Sequence, residues 1–159
     1  MPLIGSKESF GIILGAPEAG PLRAAEVWVG GWSITPNDSS AYVPSFSTAL
    51  AASARCLRTE LNFLRYEEFF VGMRVEEAVQ KFVSASPALA SVWASLRFAD
   101  WGPTTDDFLC FLLPLGGKLY LACYDNATKH VHAAVVMPYD LVEILEAAYR
   151  ELLSPSPDA

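Results

Sequence analysis

The stretch FLCFLLPLGGKLYLACY, residues 108–124, constrains this chain more than any other. Its apolar content suggests a membrane span, but a helical span needs about 20 uninterrupted apolar residues. Pro114, Gly116, Gly117 and Lys118 interrupt it here. The paired glycines suit a two-residue primed turn, where both positions take positive φ, so the segment reads as a β-hairpin. KHVHAAVVM (129–137) follows after DNAT (125–128) and supplies a third strand. A meander of this kind must bury its apolar face against something else in the chain.

The rest of the chain offers partners for it. ESFGIILGA (8–16) and AEVWVGGWSIT (25–35) read as two strands joined through PEAGPLR. Gly30-Gly31 inside the second predicts a bulge or a close approach by another backbone. VPSFSTALAASARCLRTELNFL (43–64) predicts a helix capped by Ser45. Leu50, Ala54, Leu57, Leu61 and Leu64 form its core stripe, beside a polar stripe of Arg55, Arg58, Asn62 and Arg65. A second helix spans 74–83 with Val75, Val79, Phe82 and Val83 inward. Ser86-Pro87 opens a third, burying Leu89, Val92, Trp93 and Leu96.

PYDLVEILEAAYRELL (138–153) is a final helix facing inward through Leu141, Ile144, Leu145, Ala148 and Leu152. Glu146 and Arg150 make an i,i+4 pair on it. The expected order is ββ–ααα–βββ–α, a single α+β domain over 1–153. Its sheet is mainly antiparallel, with the C-terminal helix packed on it, and residues 154–159 form a disordered tail.

Composition narrows the function. The chain carries 18 acidic against 11 basic residues, a formal charge of −7, which repels phosphate backbones and excludes nucleic acid as the expected partner. MPLIGSKESF lacks the basic and then apolar layout of a secretory signal, and three cysteines, an odd number, fit a reducing compartment. The expectation is a cytoplasmic protein without membrane contact. The sequon NAT at 126–128 then has no meaning.

Both histidines, His130 and His132, lie in the third strand of the meander. Two-residue turns at Gly116-Gly117 and Asn126-Ala127 would place Cys110, Cys123 and His130 in a row, with His132 one place along on the same face. Thiolate and imidazole are zinc ligands, yet three ligands in a straight row fit a tetrahedron poorly, and no Cys-x-x-Cys or His-x-x-x-His spacing is present. The expectation is therefore no metal and no cofactor. A Cys110–Cys123 disulfide is geometrically feasible but disfavoured in a reducing compartment. Nucleophilic catalysis wants an electropositive cleft around the thiol, and a Gly-x-Ser-x-Gly elbow is missing. No catalytic set is expected.

The loop ADWGPTTDD (99–107) offers a different chemistry. Asp100, Asp106 and Asp107 could face a basic protein, and Trp101 is expected to be an exposed contact residue between them. The alternative is a solvated loop whose aspartates cap turns.

Two passages carry a resemblance. DSSAYVPSFSTALAASARCLRTELNF (38–63) and DDFLCFLLPLGGKLYLACYDNATKHVHAAVVMPYDLVEILEAAYREL (106–152) resemble, as a pattern, small immunity proteins of bacterial polymorphic-toxin and contact-dependent inhibition systems. That resemblance implies a non-enzymatic protein, monomeric or homodimeric, that binds one cognate toxin and occludes its active site. An acidic surface against a basic toxin would fit. The rival is an acidic secretion chaperone holding an effector segment, whose dimer would leave Leu57, Leu61 and Leu64 or the last helix exposed in the monomer. A small metal-dependent enzyme is the third reading.

Overall fold

The computed structural model describes residues 1–59, 63–84 and 87–155. The fold is α+β, as expected, but its strands form two antiparallel sheets rather than one. The first contains β1 (Leu3–Gly5), β2 (Phe10–Pro17), β3 (Leu22–Val29), β4 (Trp32–Ser33) and β5 (Ser40–Tyr42). α1 (Val43–Thr59) follows, then a 3-10 helix over Phe63–Phe70, α2 (Val75–Val83) and α3 (Ala90–Leu96). The second sheet runs β6 (Arg97–Phe98), β7 (Phe108–Leu115), β8 (Lys118–Asp125) and β9 (Val131–Val135), and α4 (Pro138–Leu153) closes the chain.

Alternation decides which faces meet. In the first sheet Phe10 opposes Val29, Ile12 opposes Val27 and Leu14 opposes Ala25. Opposed residues share a face, and all six of these are buried. In the second sheet Phe98 pairs with Cys110, Cys110 with Cys123, and Cys123 with His132, one row across all four strands. Phe10 meets Phe98 edge-on at 5.6 Å between ring centroids, so these faces share one core. The opposite face of the second sheet presents Phe111, which stacks on Phe82 of α2 at 4.7 Å.

α4 buries Leu141, Val142, Leu145, Ala148 and Leu152, packing on α1 and on β1 and β2. Ile144 is half-buried beside Gly5. Arg23 pins the far end of this helix. Its guanidinium donates to the backbone oxygens of Gly15 at 2.9 Å and Glu151 at 2.8 Å, a cation placed where unpaired helix carbonyls gather. The expected Glu146–Arg150 attraction is present, and a longer-range ion pair outweighs it. Arg58 of α1 donates to both Glu146 oxygens, at 2.7 and 2.9 Å, and this holds the Glu146 carboxyl below its usual value.

Several expectations are corrected. Ser45 does not cap α1. The helix already begins at Val43, and the Ser45 hydroxyl donates to the Tyr42 carbonyl. α1 ends at Thr59; Leu61 and Asn62 lie outside the described residues, and Leu64 is exposed on the 3-10 helix because the chain has left the helical register that would turn it inward. Trp93, expected in the core, is 41% exposed at the rim of α3, its ring 6.2 Å from Phe111. Ser86 and residues 156–159 of the expected tail are outside the described residues.

The Gly116-Gly117 turn forms as read, with φ of 57° and 77° and Leu115 opposite Lys118. The next turn does not. Asp125 accepts from the Ala127 and Thr128 amides, and its own amide donates to the His130 carbonyl, giving a four-residue connection. The register moves by two, so Cys123 faces His132 and not His130.

Candidate partner-binding surface

Three loops meet at one end of the molecule. Asn37 donates to the Asp107 carboxylate at 3.1 Å, and the Asn126 amide donates to the Asp107 carbonyl at 3.1 Å. Asp107 therefore ties the segment after β4 to the β8–β9 turn. The same end carries Asp38, which accepts from the Ser40 amide, and Asp125 in its turn. Burial by itself would raise the Asp125 carboxyl. The Ala127 and Thr128 hydrogen bonds and the charge of His132 bring it below its ordinary value. Lys129 is the cation of this turn, and its ammonium donates to the Asn126 carbonyl at 2.7 Å. Asp100, Asp106 and Asp107 are exposed, so the surface is predominantly anionic.

Trp101 is not part of that exposed surface, and the contact role expected for it is corrected. It is 4% exposed. Its indole N–H donates to the Ser53 hydroxyl at 2.9 Å, and its ring meets Phe10, Phe46 and Phe98 edge-on. The Trp101 amide donates to the Thr105 hydroxyl, which in turn donates to the Gly102 carbonyl. The tryptophan is an anchor: it fixes the loop that displays Asp100 on one side and Asp106 and Asp107 on the other. Apolar area and one polar atom with a partner are what a buried indole requires. Asp100 sits beside Arg97, 4.0 Å away. Burial depresses the Arg97 guanidinium, while the Asp100 and Asp106 charges oppose that shift.

The cysteine and histidine positions resolve differently from the sequence expectation. Cys110 and Cys123 are fully buried and joined as a disulfide, which corrects the expectation of free thiols. Their Cα atoms are 4.0 Å apart, the close spacing of a non-hydrogen-bonded antiparallel pair. His130 is exposed on the turn. Among the described residues no three His, Cys, Asp or Glu side chains gather as a metal site.

His132 stacks on Trp32 with ring centroids 4.5 Å apart. Burial lowers its pKa first, the Asp125 carboxylate raises it, and His130 lowers it further, with a net depression. A depressed histidine gives stability that is full above the unfolded value, about 6.5, and is lost as pH falls through the folded value. Stability is therefore expected to decline as pH is lowered below about 6.5, and His132→Gln is expected to flatten that decline. Urea unfolding at a series of pH values reads it; an equal decline in the variant would refute the assignment.

Sequence reasoning missed Asn37, Asp38 and Asn126. NDSS and DNAT contain the Asx-type residues that cap turns, and that was the available signal. It gave no sign that the two turns meet.

No family model matches the sequence, and no curated protein matches it. Among solved structures the fold is similar to the crystal structure of CdiI from Burkholderia dolosa AUO158, a contact-dependent inhibition immunity protein. The TM-score is 0.68 at 14% identity, covering 94% of this chain and 99% of that one. The likeness is one of fold.

Proposed function

We propose that this chain is an immunity protein that binds a cognate bacterial toxin and blocks its active site. The observation that carries the reading is the fold shared with CdiI over nearly the whole of both chains. The anionic end built around Asp100, Asp106 and Asp107 supports a basic toxin as the partner, since opposite surface fields speed encounter. Such a protein works in the cytoplasm of the cell it protects. Among the described residues no helix is long and apolar enough to cross a membrane.

The rival chaperone reading needed an unpartnered helix stripe. Of the residues that stripe would expose, Leu57 is buried in the chain's own core, as is the inward face of α4, while Leu64 is exposed and Leu61 lies outside the described residues. No observation favours the metal-dependent enzyme.

The test inspects the gene immediately upstream for a large secreted protein with a variable C-terminal domain and uses that domain as the toxin. Co-expression of this chain is expected to restore growth to cells producing that domain. The purified pair is expected to associate roughly tenfold more slowly when Asp106 and Asp107 are both replaced by lysine, with the difference shrinking at high salt. Absence of both protection and binding would sink the proposal.

A further inference from the structure

Cys110 and Cys123 join β7 to β8 near the end of the ladder that carries the acidic loops. Outward from them the ladder holds only Leu109–Tyr124 and Phe108–Asp125. There the chain opens into Asp106 and Asp107 before β7 and into the Asp125 turn after β8. Hydrogen-bonded and non-hydrogen-bonded pairs alternate along an antiparallel ladder. The cysteines are a non-hydrogen-bonded pair by their Cα spacing, so Phe108–Asp125 is another. The outward-facing groups agree: the Cys110 carbonyl accepts from Arg97, and the Asp125 amide donates to the His130 carbonyl and not to β7. Outside the disulfide the two backbones are therefore held by Leu109–Tyr124 and by the Asn126 amide on the Asp107 carbonyl. Phe108, Leu112 and Leu121 share the face of the cysteines, and all five residues are buried. A reagent in water meets the sulfurs when this thinly held end opens, a local event that leaves the rest of the fold intact.

We infer that Cys110 and Cys123 are a reversible redox clasp that sets how firmly the anionic end is held. The oxidant is a small disulfide of the glutathione class. One cysteine loses its proton, and its thiolate attacks a sulfur of that disulfide, forming a mixed disulfide and releasing one thiolate. The other cysteine, also deprotonated, attacks the protein sulfur of the mixed disulfide and releases the second thiolate. Two electrons pass to the small disulfide, which leaves as two thiols carrying both protons. Excess thiol runs the same steps in reverse. Closing needs little strand movement, because the register already sets the two cysteines opposite each other. With the bond open, Asp106, Asp107 and the Asp125 turn spend less time in fixed relation. The clasp belongs to the chain by itself and is independent of the toxin-binding reading.

The test uses Cys56→Ser, which removes the free, exposed thiol that would otherwise take up glutathione itself. The variant is equilibrated in glutathione buffers from fully reduced to fully oxidised. Alkylation in denaturant and intact mass then separate the closed form, which takes up no label, from the dithiol. Conversion is expected in both directions without denaturant. Amide hydrogen exchange at Leu109, Tyr124 and Asn126 is expected to be about tenfold faster in the dithiol, with Ile12 and Val27 of the first sheet changing less than about twofold. Equal exchange at the three amides in both forms would overturn the clasp. A pair that stays wholly oxidised or wholly reduced at every glutathione ratio would overturn its reversibility. Acceleration extending equally to Ile12 and Val27 would make the bond a support of the whole fold and overturn the local device.

Discussion

Trp101→Ala is expected to remove about 3–5 kcal/mol of folding stability, the range for truncating a large buried aromatic. For a chain of this size that lowers the melting temperature by roughly 6–20 °C. The indole is 4% exposed and sits among Phe10, Phe46 and Phe98, which come from β2, α1 and β6. Alanine would leave a void where two sheets and a helix meet, and those three rings cannot all collapse into it. It would also strip the Ser53 hydroxyl of its donor. Trp101→Phe separates the terms: it keeps most of the apolar volume and loses the indole N–H, so about 1–2 kcal/mol is expected. Urea unfolding of the three proteins decides the matter. A loss below 1 kcal/mol for the alanine variant would mean that the loop is not anchored here. Partner binding is expected to fall as well under conditions where the variant remains folded, because Asp100, Asp106 and Asp107 would no longer be held in fixed relation.

Local chemistry in the sequence was legible wherever one short rule governed the outcome. Gly116-Gly117 read as a two-residue turn against a four-residue PLGG loop, and with the shorter turn the pairing from Leu115–Lys118 out to Cys110–Cys123 followed by counting. The same counting failed one turn later. Asp125 holds the backbone of its own turn, and that side-chain bond lengthens the connection to four residues. No pattern of apolar residues reports such a bond. The tryptophans show a second kind of limit. Trp101 lies between aspartate and glycine and reads as exposed, whereas Trp93 has helical spacing and reads as core. The structure reverses both. Which of them finds a cavity depends on Phe46 and Ser53, distant in sequence from both, and local periodicity carries no such information. The acidic loop itself was visible; its attachment to Asn37 and Asn126 was a tertiary fact.

Gly30→Ala is expected to cost about 2–4 kcal/mol, combining left-handed backbone strain with a steric conflict. Gly30 and Gly31 turn β3 into β4 with φ of 57° and 86°. An alanine at either position bears the strain of positive φ, about 1 kcal/mol. Only Gly30 bears a second cost. A Cβ built there lies 2.7 Å from the Ala133 carbonyl oxygen and 3.1 Å from its carbon, both backbone atoms of β9 that cannot rotate away. A Cβ at Gly31 meets nothing within 4 Å. The hairpin would have to lift off β9, and the Trp32–His132 stack at 4.5 Å spans that same junction. Gly31→Ala therefore serves as the internal control, and the difference between the two variants in urea unfolding isolates the contact between the sheets. Lifting the hairpin should also free the Trp32 ring from His132, so the pH dependence of tryptophan emission near the histidine transition is expected to diminish in Gly30→Ala and persist in Gly31→Ala. Equal losses in both variants, with unchanged emission, would show that β9 does not press on the turn. A loss at Gly30 that exceeds the loss at Gly31 would establish that the two sheets are joined through a backbone approach that only glycine permits.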